Sequence, residues 1–224
     1  MNAWLTRITT DRRSSDVHRD HTNATATHRR VMSLFPDNAG PDPRARFGIL
    51  FRTENSATGP VLLIQSNEQP DLTKLPAGYA HSHDSRSLNT LLDALRPGLR
   101  VRYRCVASPV RKPGRTTRAH YNLPAAVPLT GAAADEWWLR QAAASGLQPL
   151  HLHSQPLDAA LAHKTGRDSK ALQRFRHTRT RFEGTAAITD AEMLRARITE
   201  GIGRGKAYGC GLLSIAPAHA AAAT

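Results

Sequence analysis

Apolar and polar residues alternate along this chain in two periods, and the switches between them predict its elements. Residues 2–9 read as a strand. From about Thr25 to Phe35, Val31, Leu34 and Phe35 fall at the i, i+3, i+4 spacing of a helix. Asp37, Asn38, Gly40, Pro41 and Pro43 then break the chain. Strands follow near Arg46–Thr53 and Pro60–Ser66, and a short helix near Leu88–Leu95 leads through Pro97-Gly98 to Leu99–Val106. The order is β-α-β-β-α-β, the signature of a ferredoxin-like or RNA-recognition-type domain. In its last strand Leu99, Val101, Tyr103 and Cys105 alternate with Arg100, Arg102 and Arg104. One face can pack on helices while the other presents three guanidinium groups, as a polyanion contact or as an ordinary solvated face.

After a Pro/Gly/Arg-rich connection, Pro109–Pro128, the second half predicts a helix at Ala133–Ala144 and a short strand at Pro149–His153. A longer strand over Leu172–Ala187 follows, then a helix Ala191–Thr199 capped by Asp190 and a final strand near Gly211–Ala216. The expected fold is α+β, two tandem ferredoxin-like βαββαβ domains, the second degenerate. Residues 1–125 form the first and 126–217 the second, with a disordered Ala-rich tail at 218–224.

Charge narrows the function. Lys and Arg total 31 against 18 acids, a net +13, and such a field favours polyanions. Arg supplies all but five of the 31, a bias that a GC-rich genome would also produce. Clustering is more telling. Eight basic residues and no acid lie between Arg96 and Arg118, among them Arg111, Lys112, Arg115 and Arg118. Seven more (Lys164, Arg167, Lys170, Arg174, Arg176, Arg179 and Arg181) face Asp168 alone. Arg174 and Arg176 alternate out of phase with Arg179 and Arg181, so this segment suits a projecting basic hairpin for an RNA helix, read through backbone and shape. Two distant cysteines, Cys105 and Cys210, without a CxxC pair, suit a reducing cytoplasm and no zinc site. No apolar run spans a membrane, and the N-terminus lacks signal-peptide features.

The segment Gly201–Gly211 holds five glycines in eleven residues, Gly201, Gly203, Gly205, Gly209 and Gly211, with Arg204 and Lys206 among them. It fails as Walker A, because Glu200 and Ala207 stand where Gly and Ser/Thr belong, and as GxGxxG, so a nucleotide cofactor is not expected. It reads as a phosphate-cradling loop or as a tight helix-to-strand turn.

The closing GIGRGKAYGCGLLSIAP resembles the Gly-rich motif of the CasE (Cse3) family, repeat-RNA endonucleases of type I-E CRISPR systems. Trp4-Leu5-Thr6-Arg7, His28 before Leu34-Phe35-Pro36, Leu50-Phe51-Arg52, Val61–Ser66, Pro70-Asp71, Tyr103–Pro109 and Phe182-Glu183-Gly184 agree in order. The resemblance implies metal-independent cleavage of a CRISPR repeat hairpin without cofactor, and retention of the crRNA with the other Cascade subunits. It puts the catalytic histidine on His28. Where some relatives carry a Tyr three residues earlier, this chain has Thr25, which lacks a phenol's reach and acidity.

The chemistry fits independently. RNA carries its own nucleophile, and an imidazole titrating near neutrality serves as base or acid. His28, in the predicted first turn, would also feel the helix N-terminus. Arg29, Arg204 and Lys206 are candidates to stabilise the pentacoordinate dianion. A partly buried structural role for His28, on one stripe with Val31, Met32 and Phe35, is the alternative. A non-catalytic RNA-binding subunit is the other reading of the whole chain, and a DNA-binding regulator lacks a helix-turn-helix. His81-Ser82-His83 and His151-Leu152-His153 have no third ligand, so no metal site is expected.

Overall fold

The computed structural model describes residues 2–37, 40–57, 59–165 and 172–218, without the side chains of 161–176. Ten strands and seven helices appear among them: β1 (Trp4–Thr10), α1 (Ser15–Thr22), α2 (Ala24–Met32), α3 (Pro43–Arg46), β2 (Leu50–Ser56), β3 (Gly59–Ser66), β4 (Ala80–Ser87), α4 (Asn89–Asp93) and β5 (Arg100–Ala107). There follow β6 (Val110–Arg111), α5 (Arg115–His120), β7 (Val127–Pro128), α6 (Ala132–Ala143), β8 (Leu147–Thr165), β9 (Leu172–Ile188), α7 (Ala191–Glu200) and β10 (Leu213–Pro217).

Two four-stranded antiparallel sheets carry the fold, in the orders β2-β3-β1-β4 and β10-β5-β9-β8. Both are the ferredoxin-like order, with the first and third strands of each unit central. The expected α+β tandem architecture is therefore present, with two corrections. Leu99–Val106 does not close the first sheet: β5 pairs with β9 and β10 and opens the second. The first sheet is closed by β4, whose sequence Ala80–Ser87 is almost wholly polar and largely exposed, so no apolar alternation marks it. The reduced unit is also the first rather than the second. Its second crossover is a single 3-10 turn, Leu72–Lys74, whereas the second unit has both helices, α6 and α7. Sheet membership thus changes between Ser87 and Arg100, well before residue 125.

Each unit has its own core. Ile8, Leu62 and Ile64 from the first sheet pack on Val31, Leu34 and Phe35 beside α2. In the second, Trp138 of α6 stacks on Phe182 of β9, centroids 4.9 Å apart and planes 5° apart. The alternation in β5 holds: Val101, Tyr103 and Cys105 are buried and Arg102 is exposed.

The strand expected at Pro149–His153 extends to Thr165 and pairs with β9 as one long hairpin, shifted in register between Leu157 and Ala160. Of the tail, residues 219–224 lie outside the described residues. Burial of the polar backbone between the units is compensated by long side chains: Arg52 is almost fully buried, and Gln65 Nε2 donates to the Ile198 carbonyl at 2.6 Å.

Candidate functional site

Asn23 separates α1 from α2 and caps the second helix, its side-chain oxygen accepting from the Thr25 and Ala26 amides. α2 begins at Ala24, so His28 lies in its second turn and not its first. Asn23 takes the Thr25 and Ala26 amides, and the helix start lies a turn before His28, so the expected helix-terminus contact with phosphate does not fall at His28. α2 packs on the turn Lys206–Tyr208 of the Gly-rich segment and on β8. His28 therefore stands where the two units meet.

Its imidazole is half-buried and stacks on Phe51 of β2, centroids 6.3 Å apart and planes 25° apart. Nδ1 is buried without a hydrogen-bond partner. Burial first, then the nearby Arg44 and Arg29 guanidinium groups, lowers the His28 pKa below the usual histidine value. The direction of the shift favours the neutral ring near pH 7. Arg44 also lowers Lys206, after burial, so it lies close to both groups. Arg44 was not among the residues singled out from sequence. It sits on a four-residue helix after the Pro/Gly break, 16 positions from His28, and only the fold brings it near.

Thr25 and Arg29, one helical turn apart, line a separate groove on the outer side of α2 with Arg19 and Arg30. Arg30 is held elsewhere, by Asp20 at 2.8 Å and by the face of Tyr79.

The Gly-rich segment closes on itself as a loop. The Ile202 amide donates to the Gly211 carbonyl at 2.9 Å, and the Gly211 amide to Val106 of β5 at 2.8 Å. Gly201 has φ +79°, and a Cβ there would come within 2.7 Å of the Leu50 side chain and 3.0 Å of the Gly211 carbonyl. The Gly211 amide, one of the candidate phosphate donors, is thereby used by β5, and the Ile202 amide by the loop itself. Its cations stand outside: Arg204 is exposed, and Lys206 Nζ donates to the Glu200 carbonyl at 2.5 Å, at the end of α7.

The remaining basic residues divide by partner. Arg104 pairs with Glu183 at 2.7 Å and Glu54 at 3.3 Å. Arg181 pairs with Glu183 at 3.4 Å, and Arg179 donates to the Asp158 carbonyl at 2.8 Å. Arg102, Arg111, Lys112, Arg115 and Arg118 are exposed, the last two on α5. Lys164, Arg174 and Arg176 lie on the hairpin strands, at positions whose side chains are not described, and Arg167 and Lys170 lie outside the described residues. Among the described residues no three His, Cys, Asp or Glu side chains converge as metal ligands. Cys105 and Cys210 are buried thiols whose pKa burial pushes up to about 12, so neither is a nucleophile. No helix of the described residues is long and apolar enough to cross a membrane.

A family model described as CRISPR associated protein matches residues 3–217. The chain is 30% identical over 223 residues to the CRISPR-associated endoribonuclease Cse3 of Thermus thermophilus, covering 96% of this chain and all of that one. The structure of Thermus thermophilus Cse3 bound to an RNA representing a pre-cleavage complex superposes with a TM-score of 0.77 at 28% identity, over 97% of this chain and 100% of that one. A chain of a CRISPR RNA-guided surveillance complex in a pre-nicking state is 36% identical, with a TM-score of 0.66, over 96% of this chain and 100% of that one.

Proposed function

This chain belongs to the CasE (Cse3) family of CRISPR-associated endoribonucleases, and from that premise we propose that it binds the hairpin of a CRISPR repeat transcript and cuts it with His28 as the proton-transfer group. The observation that carries the reading is the His28 imidazole itself: half-buried where the two units meet, with its pKa lowered by burial and by the flanking Arg44 and Arg29.

A neutral imidazole accepts the proton of the 2′-OH. The O2′–P bond forms as the P–O5′ bond breaks, through a dianionic pentacoordinate arrangement that the surrounding cations stabilise. The leaving O5′ takes a proton, giving a 2′,3′-cyclic phosphate (or a 3′-phosphate after hydrolysis) and a 5′-OH. RNA supplies the nucleophile, so the reaction calls for neither metal nor cofactor. The hairpin β8–β9 and the exposed arginines hold the RNA stem. The product crRNA stays bound, and the protein joins the other Cascade subunits in the cytoplasm.

The deciding experiment is cleavage of the repeat hairpin in EDTA. Cutting is expected with all-ribose RNA and not with a 2′-deoxy sugar at the scissile nucleotide. His28→Ala is expected to lower the rate by about 10²–10⁴-fold; full activity in that variant would remove His28 from the site. Thr25, directed into the outer groove, favours a second reading, a non-catalytic RNA-binding subunit, which tight binding without any cleavage would support.

A further inference from the structure

A cleft of about 360 Å³ opens between the end of α1, the start of α2 and the base of the β8–β9 hairpin, a volume within the range of small ligand pockets. It shares a wall with the candidate catalytic group. The Phe51 ring that stacks on His28 also lines the cleft. So do Ala24 and Thr27, which stand one turn and one residue before His28 on α2.

Across from them stands Tyr208, at the end of the turn in the Gly-rich segment. His177 of β9 covers one face of Tyr208, ring centroids 4.7 Å apart and planes 26° apart, while Tyr208 itself lines the cleft. His21, at the end of α1, lines the same space. Its ring makes no hydrogen bond among the described residues, and burial holds it neutral, which leaves one ring donor and one acceptor unused.

In-line attack by a 2′-OH needs the attacking oxygen, the phosphorus and the leaving oxygen in a row. A stacked A-form strand does not offer that alignment, so a nucleotide beside the cut must leave the stack. A base taken out of its stack needs a new aromatic surface and groups for its polar edge. Aromatic residues make up only 5% of this chain, yet a stacked aromatic pair is preformed beside His28.

Building on the endoribonuclease reading, we propose that this cleft receives the extruded base of a nucleotide flanking the scissile phosphate, with Tyr208 as its stacking platform and His21 at its polar edge. His177 backs the platform and ties it to the base of the hairpin that holds the RNA stem.

The test uses the full chain and a repeat hairpin RNA with a 2′-deoxy sugar at the scissile nucleotide. 2-Aminopurine is placed in turn at each nucleotide from the base of the stem through its 3′ flank. Binding is expected to quench one of these positions, Tyr208→Leu to abolish that quench, and Tyr208→Phe, which keeps the ring, to recover it. Removing the base at that position is expected to weaken binding by about tenfold or more in the native protein, and to leave Tyr208→Leu unaffected. Absence of a Tyr208-dependent quench at every position overturns the proposal, and so does an equal affinity loss from Tyr208→Leu on intact and abasic RNA. Cleavage of all-ribose RNA is run in parallel. Its failure rejects the endoribonuclease reading, whereas the quench reports on the cleft whether or not the RNA is cut.

Discussion

Arg52 of the first sheet donates from Nη1 to the Leu212 carbonyl at 3.0 Å, so a guanidinium of one unit holds the exit of the Gly-rich segment in the other. The same side chain reaches the Arg104 carbonyl at 3.3 Å and the Ser214 hydroxyl at 2.9 Å, and pairs with Glu54 at 2.8 Å. Burial first, then the nearby Arg104 guanidinium, lowers the pKa of this group, and Glu54 works in the opposite direction, which marks a charge kept inside by its partners. Arg52→Ala strips those partners of their donor and is expected to destabilise the protein by about 3–5 kcal/mol, read by urea unfolding. Arg52→Lys retains the charge without the planar fork and is expected to fall between the two.

The Gly-rich segment gives a second prediction. Gly201→Ala places a Cβ at φ +79° against Leu50 and the Gly211 carbonyl. The strain and the close contacts together are expected to cost about 1–3 kcal/mol, again measured by urea unfolding. Gly98→Ala, also at positive φ (+85°) but with nothing within 4 Å of its Cβ, separates the backbone cost from the packing cost and is expected to lose less.

The pH dependence follows from the direction of the His28 shift. Its pKa is lowered in the folded protein by burial, Arg44 and Arg29, so the neutral base is present at pH 7 and is lost as pH falls. The acid limb of kcat/KM, which reports the free enzyme, is expected below about pH 6.5. Arg44→Gln is expected to shift that limb upward, because it removes a positive charge that opposes protonation. The same sign holds for stability: the folded state binds fewer protons at His28 than the unfolded chain, so stability falls as pH drops below about 6.5. An acid limb above 7 in the unmodified protein would contradict the base role.

Much of this was legible in the sequence where burial imposes a period. β5 alternates because one face meets Trp138 and Phe182, and α2 repeats its apolar residues because one face meets Ile8, Leu62 and Ile64. β4 left no such trace: it is an edge strand, paired among the described residues with β1 alone, and most of its side chains face solvent. That gap let β5 stand in for it and moved the apparent boundary between the units. His28 was recognisable from its place in the motif order, but Arg44 and the Tyr208 cleft depend on chain segments brought together only by folding. Charge was the least legible property, because acidic partners such as Glu54 and Glu183 for Arg104 come from other strands.

That last point separates the arginines by experiment. Arg204 is exposed and has no ion pair among the described residues, so phosphate can replace water around it, with release of a counterion. Arg104 already neutralises two carboxylates, at 2.7 and 3.3 Å, and an RNA phosphate would have to compete with both. Arg204→Ala is therefore expected to weaken RNA binding and to reduce the slope of log K against log salt concentration by about 1. Arg104→Ala is expected to leave that slope unchanged while lowering thermal stability, because Glu183 keeps only the longer contact with Arg181, at 3.4 Å. Filter binding of the repeat hairpin over a salt series measures the slopes. A reduced slope for Arg104→Ala would mean that RNA draws Arg104 away from Glu54 and Glu183.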